Sequence, residues 1–159
     1  MSDGALRVAL DTNILVYAEG LAPLPRDAHK PAVVRALLAG LAPTQVRVPA
    51  QALGELFRVL VGKGGRSRTA ARLAIISWRD SFAVAATTET TMLAAVDLAT
   101  DHAMSIWDAV ILSAAVDASC RLLLSEDMQD GFTRRGLTVV DPFAAERYSL
   151  LTTRPTQNA

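Results

Sequence analysis

Residues 8–18, "VALDTNILVYA", decide how this chain is read. Val8–Leu10 is a short apolar run of the kind that makes a buried strand. It runs directly into Asp11, Thr12 and Asn13, and then becomes apolar again. A carboxylate, a hydroxyl and an amide therefore stand where a strand leaves the core. Asp and Asn are favoured helix caps, so Asp11 and Asn13 are open to a capping reading as well as a functional one.

Outward from this stretch, short apolar runs alternate with longer helical patterns. Strands are predicted at Val8–Leu10, Val46–Val48, Phe82–Ala85, Leu122–Leu124 and Leu137–Val140. Helices are predicted at about 13–18, 27–39, 50–61, 66–78, 89–102 and 106–119. Alternation of this kind predicts an α/β fold with a mostly parallel sheet covered on both faces. The whole chain, 1–159, is expected to be one domain with its core at about 7–143, and with loose ends at 1–5 and 152–159.

Composition narrows the function classes. The chain has 159 residues, 51% of them hydrophobic, and 16 basic residues balance 16 acidic ones. Zero net charge does not mark a generally basic nucleic-acid binder, though it leaves local patches open. Cys120 is the single cysteine, which excludes an internal disulfide framework and fits a small apolar role in a reducing compartment. Asp11 interrupts the only apolar stretch near the N-terminus, and no apolar run is long enough to span a bilayer. A soluble, cytoplasmic protein is expected.

Element order then gathers the acids. In a parallel α/β sheet, ligands collect outside the carboxyl ends of the strands. Asp11 follows the first strand, and Asp127 follows "LLLSE". Asp108 lies in the first turn of the helix that leads into Leu122–Leu124. Glu55 lies early in the helix after Val46–Val48. Four acids distant in sequence thus fall at one edge.

Each has an ordinary alternative. Ser105 and Asp108 have capping-box spacing. Yet from Ile106 to Val116 only Asp108 and Ser113 are polar, so that helix is predicted to be buried nearly all round. "SEDMQDG" can be a plain acidic turn. Glu55 lies opposite the stripe Leu53, Leu56, Phe57 and Leu60, on a side shared with Gln51 and Arg58. The helical wheel alone makes it a solvated residue.

Should the four converge, they cannot all ionise unaided. All-oxygen donors suit Mg²⁺ or Mn²⁺. His29 and His102 are isolated and Cys120 has no neighbouring ligands, so zinc is not expected. A hard cation activates water and stabilises phosphoryl charge, which points to a phosphate-ester or nucleic-acid substrate. "GKGG" at 62–65 is not a phosphate-binding loop, because no strand precedes it and the lysine spacing is wrong. GxSxG, CxxC and GxGxxG are absent.

The ordered segments "LDTNILVYA", "QALGELFRVL", "MSIWDAVILSAA", "LLLSEDMQDG" and "LTVVDPF" resemble the PIN domain, and within it the VapC-type toxins of prokaryotic toxin–antitoxin pairs. The likeness runs from about Arg7 to Phe143. It implies an α/β/α sandwich, Mg²⁺- or Mn²⁺-dependent endoribonuclease activity, a homodimer, and a cognate antitoxin that plugs the acidic site. It carries Asp11, Glu55, Asp108 and Asp127 over as the catalytic acids, with Asp11, Asp108 and Asp127 on the metal. Asn13 and Ser125 match supporting polar positions, and Asp130 is a further acid. For Glu55 the resemblance overrides the wheel. Asp141 departs from the pattern, in which Asn is usual, and is expected to be a packing variation.

Two other functions stay open. A haloacid-dehalogenase-type phosphatase with Asp11 as nucleophile needs a second acid where Asn13 stands. A PIN-like binding module would hold metal or RNA without cutting. Six basic residues between Arg58 and Arg79, with Lys63, Arg66, Arg68 and Arg72 between them, form either a solvated face or a phosphate-contacting rim. Trp78 and Trp107 are expected to pack in the core rather than stack bases.

Overall fold

The computed structural model describes residues 5–144. The looseness expected at 1–5 and 152–159 therefore falls, except for Ala5, outside the described residues. A six-stranded sheet runs in the order β3-β2-β1-β4-β6-β5. Its strands are β1 (Val8–Leu10), β2 (Val46–Pro49), β3 (Ala83–Ala85), β4 (Leu122–Leu124), β5 (Thr133–Arg134) and β6 (Leu137–Val140). β1 pairs in parallel with β2 on one side (Val8 opposite Val46) and with β4 on the other (Val8 opposite Leu122). β2 continues to β3, and β4 to β6, also in parallel. β1 has neighbours on both sides and cover on both faces, so Val8, Ala9 and Leu10 are wholly buried.

The helices are α1 (Thr12–Ala18), α2 (Lys30–Ala39), α3 (Ala50–Val61), α4 (Arg68–Ser81), α5 (Glu89–His102) and α6 (Ile106–Asp117). The connections β1–β2 and β2–β3 step one way across the sheet, and β3–β4 steps back over it. Right-handed crossovers then put α1–α4 on one face and α5–α6 on the other. The packing agrees: α1 meets α2 and α3, α3 meets α4, and α5 pairs with α6. α6 is buried continuously from Ala109 to Ala115, as its lack of polar residues requires. Full burial of Ile111 and Leu112 contributes roughly 1.5–3 kcal/mol each.

Several boundaries moved for local reasons. Residues 25–27 form a 3₁₀ turn beginning at Pro25, so α2 starts at Lys30 rather than near 27. Ser67 caps α4 by accepting from Ala70 N at 3.0 Å, which delays its start to Arg68. Gly64 just before it is required by close packing, since a Cβ there would lie 2.7 Å from the Leu60 carbonyl oxygen. β5 was not predicted. It is two residues long and pairs antiparallel with β6 through Arg135 and Gly136, both at positive φ. That is the backbone a two-residue hairpin needs.

Candidate active site

The sheet order makes the site. The chain leaves β1 toward β2 and later returns to lay β4 on β1's other side, so a crevice opens between the carboxyl ends of β1 and β4. Asp11 and Ser125 are the first residues beyond those two strands. Asp11 N donates to Leu124 O at 3.0 Å, extending the ladder one step into the crevice.

Asp11 is 3% exposed. It is the N-cap of α1, accepting from Thr12 N at 2.7 Å, so the capping reading holds alongside any chemical one. Its Oδ2 also accepts from Ser125 Oγ at 2.7 Å and from Asn13 Nδ2 at 3.3 Å. Burial pushes its pKa up to about 6 against the pull of the Ser125 and Thr12 hydrogen bonds, and the charges of Asp108 and Asp127 push the same way. Asn13 is not a cap. Lying inside the first turn of α1, it bridges two acids, donating to Asp127 Oδ2 at 3.0 Å as well. An amide that donates to both carboxylates is not a substitute for the second acid of a phosphatase.

Asp108 is half-buried in the first turn of α6. Its pKa is raised by burial first, then by Glu55 and by Asp127. The capping box proposed for it does not form, because Ser105 makes no side-chain cap. Glu55 is not the solvated residue of the wheel. It is half-buried, accepts from the Thr12 hydroxyl in a short hydrogen bond, and accepts from Gln51 Nε2 at 3.5 Å. The buried face of α3 is Ala52, Leu56 and Leu60, and Glu55 instead faces the start of α1. Thus Asp11, Glu55, Asp108 and Asp127 come from four elements into one electrostatic neighbourhood.

Ser125 is fully buried, and its Oγ accepts from Asp127 N at 3.2 Å and Met128 N at 3.1 Å while donating to Asp11. Asp130 is exposed and accepts from Asp141 N at 3.0 Å, at the end of β6. Asp141 in turn accepts from Phe143 N at 2.9 Å, shaping the turn that follows β6. Three residues of this region were not assigned from sequence: Thr12 and Gln51, which hold Glu55, and Glu126, held by Tyr17. Thr12 had a signal in its place beside Asp11, whereas the partners of Gln51 and Glu126 are visible only in three dimensions.

Elsewhere, burial pushes the Cys120 thiol up to about 11, consistent with an inert packing role. His102 sits edge-on to Phe132. Trp78 is buried and donates to Glu19 Oε1 at 2.8 Å. Trp107 contradicts the core expectation: it is 50% exposed, one residue from Asp108. Of the basic residues, Arg66 pairs with Glu19 and Arg79 with Asp80, while Arg58, Lys63, Arg68 and Arg72 are exposed.

Among the described residues no three His, Cys, Asp or Glu side chains are drawn together closely enough to hold an ion by themselves. The donor set is nonetheless of one kind, with Asp11 and Asp108 raised by burial and by neighbouring carboxylates, and with hydroxyl and amide groups beside them. That chemistry fits a hard cation that keeps several of its waters, and not a closed protein cage. No helix among the described residues is long and apolar enough to cross a membrane.

Comparison with known proteins agrees with the fold. VapC20 of Mycobacterium tuberculosis, a sarcin-ricin-loop-cleaving toxin, superposes with a TM-score of 0.57 at 18% identity, covering 73% of this chain and 86% of that one. A toxin–antitoxin complex from Klebsiella pneumoniae gives 0.63 at 19%, covering 86% and 98%. FitAcB from Neisseria gonorrhoeae gives 0.60 at 20%, covering 86% and 99%. No curated protein matches the chain in sequence. The PIN-domain family model matches residues 8–135, from β1 through β5 and including the four acids, and the chain belongs to the PIN-domain family.

Proposed function

We propose that this chain is a divalent-metal-dependent endoribonuclease, the toxin of a toxin–antitoxin pair. The observation that supports the reading is the shared electrostatic neighbourhood of Asp11, Asp108, Asp127 and Glu55, in which burial and neighbouring carboxylates raise Asp11 and Asp108. The toxin role is supported by similarity to toxin–antitoxin complexes and to a toxin that cleaves RNA. In this reading one domain spans about 7–143, works in the cytoplasm as a homodimer, and is restrained by a cognate antitoxin.

Asp11, Asp108 and Asp127 are the groups that would hold Mg²⁺ or Mn²⁺. Such an ion, when bound, would lower the pKa of a coordinated water and offset charge on a phosphodiester. Asp11 is the fixed donor, because three hydrogen bonds orient its carboxylate. Asn13 spaces Asp11 from Asp127. Glu55, oriented by Thr12 and Gln51, helps to position the ion or its water. Asp130 is assigned to the β6 turn. Trp107 presents an indole face beside Asp108 on which an unpaired base can stack. Arg58, Lys63, Arg68 and Arg72 are exposed cations that would meet phosphates.

The test is cleavage of total RNA by antitoxin-free protein, with Mg²⁺ and with chelator. Metal-dependent fragments that vanish in Asp11→Asn support the reading. Intact RNA under both conditions rejects catalysis in favour of a binding module.

A further inference from the structure

The acidic turn after β4 is held from two sides. Ser125 and Asp127 point their groups toward Asp11 and Asn13, whereas Glu126 between them reaches away from the crevice. Its carboxylate accepts a short hydrogen bond from the Tyr17 hydroxyl and meets Lys30 Nζ at 2.6 Å. Lys30 also meets Asp27 at 2.9 Å and lies over the rings of Tyr17, at 5.6 Å, and Phe143, at 4.9 Å. Asn13 and Tyr17 are four residues apart, hence on one face of α1. That face therefore grips two consecutive residues, Asp127 through Asn13 and Glu126 through Tyr17.

The ion pairs are sheltered, with side-chain exposures of 17% for Lys30, 19% for Glu126 and 11% for Asp27. A pair so placed is geometrically specific, unlike a solvated surface contact. The turn also carries a burden. Asp127 is exposed at its tip and repelled by Asp11 and Asp108, so an unrestrained turn would swing it outward. Fixing the neighbouring side chain fixes the peptide from which Asp127 projects, and the Lys30 ammonium keeps the Glu126 charge from adding to the repulsion.

We propose that Lys30 and Tyr17, acting through Glu126, are positioning residues that hold Asp127 in its place at the acidic crevice. The proposal rests on the reading of Asp127 as a metal ligand, and it is tested with Mn²⁺ alone, without RNA. Mn²⁺ affinity is measured by calorimetry for the full chain and for Lys30→Met, Lys30→Arg and Tyr17→Phe, each with and without Asp127→Asn. Expected is a roughly 10-fold weakening for Lys30→Met and Tyr17→Phe, with retention by Lys30→Arg. In the Asp127→Asn background the same changes should cost no more than about 2-fold, because coupled residues are non-additive. Equal losses in both backgrounds, no loss in either, or no Mn²⁺ binding by the parent chain overturns the proposal. Should Lys30→Met fail to fold, Tyr17→Phe, which removes only a hydroxyl, decides the cycle. RNA cleavage is scored separately. A parent that binds Mn²⁺ through this coupling yet leaves RNA intact sinks the ribonuclease reading and not the clamp.

Discussion

Ser125 Oγ donates a 2.7 Å hydrogen bond to Asp11 Oδ2, joining the ends of two adjacent parallel strands inside the buried part of the crevice. The same oxygen accepts from Asp127 N and Met128 N, so one hydroxyl sets both the carboxylate and the turn that carries the next acid.

Ser125→Ala should therefore do two things at once. Two backbone N–H groups and a buried carboxylate lose a partner, which should cost about 1–3 kcal/mol. Asp11 also loses a hydrogen bond that favours its charged form, so its pKa should rise above its present value of about 6. Urea denaturation midpoints check the first effect. An upward shift of the acid limb of the pH–rate profile checks the second, and an unmoved profile counts against it.

Asp11→Asn and Asp108→Asn should each abolish cleavage, by 10³-fold or more on the order of removing an essential electrostatic group. Asn remains a good helix cap, so Asp11→Asn should keep α1 intact. It also removes a buried charge repelled by Asp108 and Asp127, and should raise stability at pH 7 by roughly 1–2 kcal/mol. A variant as active as the parent, or one that is unfolded by circular dichroism, contradicts this.

The pH dependence follows from the same residue. Asp11 titrates near 3.8 unfolded and near 6 folded, so between those values the folded chain binds more protons than the unfolded one. Metal-free stability should fall as pH rises across that window, by up to about 3 kcal/mol, and then level off above pH 6. Metal binding must displace the proton, so Mn²⁺ affinity should climb through the same window. Thermal melts and Mn²⁺ titrations from pH 4 to 7.5 should thus run in opposite directions.

Trp107→Ala should weaken binding of single-stranded RNA by about 1–3 kcal/mol, the range for loss of one stacked base. Stability should fall by about 1–3 kcal/mol as well, because the other half of the indole is buried. Trp78→Phe should leave RNA binding unchanged while losing the bond to Glu19 at a cost of about 1 kcal/mol. In a Trp78→Phe background, quenching of the remaining fluorescence by oligo-RNA reports stacking directly.

The strands Val8–Leu10, Leu122–Leu124 and Leu137–Val140 are legible in the sequence, as is the buried helix, read at 106–119 and found at Ile106–Asp117, because apolar period and burial are local properties. So was the edge at which the acids stand, since it follows from element order alone. What one helix meets across space was not. A wheel shows that Glu55 is off the core face of α3, yet it cannot show that α1 stands opposite with Thr12 in reach. The apolar run around Trp107 suggested burial, but its neighbours turn inward while the indole faces out at the helix's first turn. β5 carries no apolar pattern and exists only because Arg135 and Gly136 fold Thr133 and Arg134 back onto β6. The sequence by itself determined the five longer strands, the six helices and the strand and helix ends that carry carboxylates. Only the tertiary structure decided that β4 lies beside β1, that four acids share one field, and that Lys30 and Tyr17 grip the turn between them. Backbone pattern depends on near neighbours in the chain, whereas electrostatic coupling depends on distance through space.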